Sequence, residues 1–518
     1  MPKIKSNHFL ESALEEIPRL LGQLNRNRSS QSYGSFDRAY WHYRTNDISC
    51  ARYQEAVYTL TLLYCSDFEG NEYYRDEVLF KWILASLRFT LSLQKKDGSF
   101  DEWYVNEGSY VATAFLTAAL GETLLLLKDT GIHLDDEQPL RDLLKQSARF
   151  LIRRQEKTVL NQVSGAIFAV AVTGYVCNED AFLEQADVML NKFISEQSEE
   201  GWWSEYGGPD IGYLSLTISY LEKYQRLTRK DATNPAVTRA KHFLKQFINP
   251  DLTAGGEHMS RNTEYIIPSL TLPFLGTIGP KNLDDRYLCY ILYNWIETGL
   301  KISPQTPELP FGEHFFPNST LFRVMNKEYF LVTNGSKGGA FRLYAGGKVY
   351  YDSGLEISSV NKCYSTGILD HTNHVSFKDG TFYVTGFAKI IKEPLLKTVM
   401  AIVFKSWQLL FGRIGFLQGI VKHALRQRMV SYAKGSHISF KRTIEFDTRA
   451  VTVTDVVCGV HSRNDILLGL KSAYNAVPSS KYVAVPEIAR CLLQPHFEER
   501  KNDDRYIIKR FFSFHESP

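Results

Sequence analysis

Two stretches concentrate residues able to do chemistry. The first, Gly201-Trp-Trp-Ser-Glu-Tyr-Gly-Gly-Pro-Asp-Ile-Gly-Tyr213, sets Trp202, Trp203, Glu205, Tyr206, Asp210 and Tyr213 around a Gly-Gly-Pro turn, directly before the apolar run LSLTISYL. Rings and carboxylates interleaved on a turn that cannot be helical fit the wall of a cleft better than a packed core. The second, Gly255-Gly-Glu-His-Met-Ser-Arg-Asn-Thr-Glu-Tyr265, carries His258, Arg261 and Asn262. A guanidinium there can grip a carboxylate through two parallel bonds, and an imidazole can move a proton. Taken singly, each polar residue also fits a helix cap or loop hydrogen bond, and each ring also fits a hydrophobic staple closing its loop.

Two periods of apolar residues hold these loops. From roughly residue 50 to 300 the spacing is helical, as in EVLFKWILASLRFTLSL and YVATAFLTAALGETLLLL. Gln94, Gln155 and Gln197 each stand near a helix end, and the first and third run on into an acidic-Gly-aromatic turn. Helix pairs that return to one kind of loop can close into an α/α toroid, here placed at 1–310. Its loops at 97–110, 158–164, 201–213 and 255–265 are then expected at one end, which brings Trp103 and Tyr104 to the same cleft. From about 320 the apolar residues alternate with polar ones between Gly, Asn-Gly and Asp-Gly turns, the pattern of antiparallel hairpins in a β-sandwich, placed at 311–518. The expected class is α+β multidomain, with the Pro-rich 302–317 as linker.

One segment breaks the β pattern. Residues 394–428 read as an amphipathic basic helical insertion: the run is strongly apolar, Lys397, Lys405 and Arg413 interrupt it, and no acidic residue occurs between Glu393 and Glu445. That fits a segment lying through 394–442 on an anionic membrane face, or else a helix packed on the sandwich. Elsewhere charge is balanced, 60 basic against 57 acidic side chains, which gives no argument for a nucleic-acid partner. Seven cysteines without paired spacing fit buried thiols in a reducing compartment, with no metal site and no cofactor expected. The opening MPKIKSNHFLESALEEIPRL lacks a secretory apolar core. The expected location is cytoplasmic, with possible peripheral contact at the inner membrane.

A helical half followed by a β half, with Leu160-Asn161-Gln162-Val-Ser-Gly-Ala at a helix start, the Gly-Gly-Pro-Asp-Ile-Gly-Tyr213 loop, and Tyr329-Phe-Leu-Val-Thr-Asn-Gly-Ser-Lys-Gly-Gly339-Ala-Phe341 opening the sheets, resembles the heparinase II/III-like proteins, in particular those accompanying bacterial surface-polysaccharide synthesis. The resemblance implies β-elimination on a uronic-acid glycan. Removing a proton α to a carboxylate is slow, so such an enzyme must neutralise the carboxylate and hold a base near the carbon. Asn161 matches the neutralising Asn and Tyr213 the proton-transfer Tyr. Arg261 then has a sugar carboxylate to pair, and His258 is a candidate acid or base. Trp103, Trp202, Trp203 and Tyr206 offer faces to sugar rings, while Glu205, Asp210 and Asn262 bond hydroxyls. The sequence departs from the family at Gln162 and at Asp370-His371-Thr-Asn-His374, where a His-Gly-His element is usual.

The expected partner is an acidic polysaccharide or lipid-linked glycan. Two other readings stay open: a glycoside hydrolase using Glu205 and Asp210 as its carboxylate pair, and a non-catalytic glycan-binding or assembly protein.

Overall fold

Helix starts in the first half are fixed by short polar side chains, each accepting orphan backbone N–H groups: Asn7 from Phe9 and Leu10, Asp76 from Leu79, Ser109 from Ala112, Asp284 from Tyr287. The helices so defined are α1 (His8–Gln23), α2 (Arg38–Trp41), α3 (Ala56–Cys65), α4 (Glu77–Leu93), α5 (Tyr110–Asp129), α6 (Gln138–Arg153), α7 (Asn161–Cys177), α8 (Asp180–Ser195), α9 (Ile211–Thr228), α10 (Asn234–Lys245) and α11 (Asp285–Gly299). The computed structural model describes residues 3–154, 156–359, 362–391, 398–412, 414, 421, 434–468, 482, 493–502 and 505–514. Gln155, Lys397, Arg413, Lys422, Arg426, Arg428 and Cys491 lie outside the described residues.

Sequence sorts the helices into two rings. α3, α5, α7, α9 and α11 are buried on nearly every side, and α4, α6, α8 and α10 bury one stripe. α5 is long and apolar enough to cross a membrane, but most of it lies inside the protein. The inner ring closes between α9 and α11 through side chains: Tyr220 to Tyr293 at 3.2 Å, Ser219 to Asn294 at 3.3 Å, and Lys223 to Glu297 at 2.5 Å. This is the α/α toroid. All five inner helices begin at the same end, where Ala51 N bonds Asp101 O, Arg154 Nη1 bonds Gly108 O, Val159 bridges Glu205, and Ser260 N bonds Pro209 O.

The helix-end glutamines clasp neighbouring hairpins. Gln94 Nε2 donates to Leu143 O at 2.8 Å and Ser147 Oγ at 2.9 Å, and Gln197 Nε2 donates to Gly201 O and Ala236 O, both at 2.9 Å. Gly98 and Gly201 follow them with φ of 88° and 104°, pressed so close that a Cβ would sit 2.2 Å from Gln146 O and 2.4 Å from Arg239 O. Only glycine fits both demands.

Strands follow: β1 (Gly312–Phe316), β2 (Leu321–Met325), β3 (Tyr329–Asn334), β4 (Ala340–Ala345) and β5 (Lys348–Asp352) form one antiparallel sheet in sequence order. β6 (Glu356–Ser359), β7 (Lys362–Ser365), β8 (His374–Lys378), β9 (Thr381–Ile391), β10 (Lys434–Phe446), β11 (Ala450–Cys458), β12 (Ile466–Leu467), β13 (His496–Asn502) and β14 (Arg505–Ser513) form the second, with α12 (Thr398–Phe411) between β9 and β10. The first sheet is a middle layer. Phe322, Leu331 and Leu343 face Phe382, Ile444 and Val453 of the second sheet, while the alternate residues Leu321, Phe330, Val332 and Tyr344 join the toroid core.

Two buried ion clusters brace this arrangement. Arg442 and Arg510 both bridge Asp352 and Asp455, all four side chains fully buried. Arg342, on the toroid side of β4, bonds Glu257 Oε2 at 2.5 Å and also Glu264, fastening the 255–265 loop to the sheet.

Candidate active site

Asn161 opens α7, a helix with no side-chain cap from its own flank. Glu205, from the neighbouring loop, supplies one: Oε1 accepts the Asn161 backbone N–H at 2.7 Å and Oε2 accepts Asn161 Nδ2 at 2.8 Å. Glu205 is buried, and burial pushes its carboxyl well above the usual range despite those two bonds. Asp210 caps α9. Its Oδ1 accepts Tyr213 N at 3.2 Å and the Thr263 hydroxyl, and its Oδ2 accepts Arg261 N at 3.1 Å and Thr263 N at 3.3 Å. One carboxyl thus ties the 201–213 loop to the 255–265 loop.

That tie places Arg261. Its guanidinium lies 4.3 Å from the centre of the Tyr206 ring and hydrogen-bonds the Tyr213 side chain. Tyr206 holds a left-handed backbone, φ 56°, with its N–H on Thr158 O at 2.9 Å. Burial raises the Tyr213 hydroxyl well above the ordinary phenol value, and the opposing charge of Arg261 does not reverse this. The neutral phenol is therefore a proton donor at rest. Asn161, Glu205, Tyr206, Asp210, Tyr213 and Arg261 form one connected cluster at the loop end of the toroid.

Several residues expected in the cleft serve elsewhere. Trp203 is a core residue, 2% exposed, stacked on Phe193 at 4.7 Å with its N–H on Phe193 O. Trp202 stands at the seam with the sandwich, where its N–H bonds Glu200 and Glu200 accepts from Asn318 and Ser319. His258 is fully buried beside Phe247, and burial holds its imidazole well below the usual range, so it is neutral and out of reach as an acid or base. Asn262 turns to the sandwich, its Oδ1 accepting from Lys337 Nζ at 2.5 Å. Tyr104 packs on Phe404 of α12. Glu205 and Asp210 have their oxygens committed to Asn161, Tyr213, Arg261 and Thr263, which removes them as hydroxyl-binding groups and as a hydrolase pair.

Trp103 behaves otherwise: it is 65% exposed, held by Arg286 whose guanidinium lies 3.6 Å from its ring centre. A chain of rings, Tyr265 to Tyr287 at 6.1 Å and Tyr287 to Tyr290 at 5.7 Å, runs along the same end towards Arg286. Three residues that the sequence did not single out for the site adjoin these loops. Arg286 carries the signal of an Arg just inside a helix start. Lys337 sits among glycines in a turn after β3. His371, an exposed residue of the sandwich, puts Nε2 3.3 Å from where a Cβ on Gly207 would stand. The sandwich thereby contributes an imidazole to the edge of the cluster.

No family model matches the sequence, and no curated protein matches it either. Solved structures do resemble it. Chondroitin AC lyase of Streptomyces coelicolor A3, in complex with chondroitin sulphate, aligns over 87% of this chain and 66% of its own, with TM-score 0.53 and 10% identity. This chain therefore spans just under two thirds of the length of that enzyme. A Tyr-to-Ala mutant of the same lyase aligns over 98% and 77%, with TM-score 0.50 and 10% identity. At this identity the likeness is one of fold.

Proposed function

We infer that this chain, which has the α/α-toroid and β-sandwich fold of the chondroitinase-like polysaccharide lyases, is a lyase acting by β-elimination on a uronic-acid-containing glycan. The observation that carries the reading is the joining of Arg261 to the Tyr213 hydroxyl over the Tyr206 ring, one loop from an Asn161 amide fixed by Glu205. This is the pairing the reaction needs: cationic and amide donors for a carboxylate, beside a proton-transfer group.

In this reading the sugar carboxylate lies between Arg261 and Asn161, whose donors stabilise the charge that develops when the C5 proton leaves. The C5–H electrons form the C4–C5 double bond, the C4–O bond breaks, and Tyr213 gives its proton to the departing oxygen. His371, across Gly207, takes the C5 proton. Trp103 and Tyr206 carry neighbouring sugars on their faces, and the glycan is free polymer or lipid-linked, of the kind found in bacterial surface polysaccharides.

The experiment is incubation of the full chain with chondroitin sulfate, heparan sulfate and other uronate polymers, following the ultraviolet absorbance of unsaturated uronate. The reading expects absorbance from wild type and its loss in Arg261→Ala. A flat trace on every uronate polymer would contradict it.

A further inference from the structure

α12 is built inside out for a helix on a soluble surface. Val399, Ile402, Val403, Leu409 and Leu410 share one face and are 57–71% exposed, whereas among its described residues the single fully buried side chain is Gln408. The opposite face holds the toroid: Phe404 meets the Tyr104 ring edge-on at 5.3 Å, Asn106 Nδ2 donates to Gln408 O at 3.3 Å, and Lys405 pairs with Asp47. Met400, Phe411 and Ile414 add flanks that are 45–49% exposed. An apolar patch of this kind on an outward face marks a contact with something else.

Length and charge choose the occupant. At about 1.5 Å per residue the fourteen residues of α12 fall well short of the ~30 Å hydrocarbon core, so the helix is too short to span a bilayer. Between Glu393 and Glu445 the sequence has nine Lys and Arg and no Asp or Glu; of the nine, Arg442 is spent inside the sandwich and Lys405 on Asp47. A protein partner would need apolar complementarity alone, whereas apolar residues set in a run free of acidic charge match an anionic lipid surface.

We propose that α12 is a lipid-docking element whose outward face enters the headgroup region of an anionic bilayer, setting the 101–108 loop, and with it the cleft end of the toroid, against the membrane. The proposal goes beyond the lyase reading and does not rest on it.

The test is co-sedimentation of the full chain with sucrose-loaded vesicles of phosphatidylcholine containing about 30% phosphatidylglycerol, and with phosphatidylcholine alone. Wild type should sediment with the anionic vesicles, less with the neutral ones, and less again in added salt. Ile402→Glu with Leu410→Glu should lower the partition by about tenfold or more, with thermal unfolding unchanged because both side chains face solvent. Wild type left in the supernatant, or binding untouched by the double substitution, would overturn the proposal. So would a vesicle-free wild-type dimer that the double substitution makes monomeric, since a second copy would then cover the face.

Discussion

Glu205 holds Asn161 at two points, its backbone N–H at 2.7 Å and its side-chain amide at 2.8 Å. A single buried carboxyl thus both caps a helix and fixes the orientation of the amide. Glu205→Ala leaves the amide unheld and two buried donors unsatisfied, at a cost of about 1–3 kcal/mol of stability for each. Activity should fall more than stability explains, with the loss in kcat. A variant that keeps full turnover would show that Asn161 needs no such support.

Adjacent or similar tryptophans should part company. Trp203→Ala empties a stacked core position and should cost about 3–5 kcal/mol in denaturant unfolding. Trp103→Ala, at an exposed ring, should change stability by less than about 0.5 kcal/mol while weakening glycan binding in calorimetry. Equal stability losses would contradict the assignment.

Lys337 gives a pH signature. Its ammonium is buried, bonding Met259 O at 2.7 Å and Asn262 Oδ1 at 2.5 Å, and burial pushes its pKa down to about 7. The unfolded chain, with lysine at ~10.4, binds more protons between those values, so the stability contribution is full above the upper value and is lost as pH falls to the lower. The unfolding free energy of wild type relative to Lys337→Met should therefore rise with pH across that window, by up to about 1.4 kcal/mol per pH unit. Urea unfolding at several pH values checks it; a flat difference would contradict the burial of charge.

The four-membered cycle of Arg442, Asp352, Arg510 and Asp455 should be intolerant of a missing partner. Asp455→Ala leaves two buried guanidinium groups sharing the one Asp352 carboxylate and should destabilise by about 3–5 kcal/mol, which thermal unfolding measures directly. A small shift would mean that water enters the sandwich core.

The period-3.6 and period-2 runs made the two halves legible, and the glycine turns after Gln94 and Gln197 hinted at a shared loop end because their geometry is local. What stayed hidden depends on partners far along the chain. Nothing in Gly-Trp-Trp says that Trp203 finds Phe193 while Trp202 finds Glu200, and nothing near Glu205 announces Asn161, 44 residues earlier. Lys337 and His371 come from turns of the sandwich, far along the chain from the loops they meet at Met259, Asn262 and Gly207. The first sheet's two-sided burial shows in the sequence as a continuous apolar run, Tyr329-Phe-Leu-Val332, where a one-sided sheet would alternate, and nothing local says which layer covers each face.

The most direct measurement is the rate of unsaturated-uronate formation by wild type and Tyr213→Phe on a uronate polymer that wild type cleaves. The substitution keeps the ring against Arg261 and removes only the hydroxyl. The account predicts glycan affinity within about twofold of wild type and a fall in kcat of two or more orders of magnitude, the usual scale for a lost acid or base. Unchanged turnover in Tyr213→Phe would contradict it.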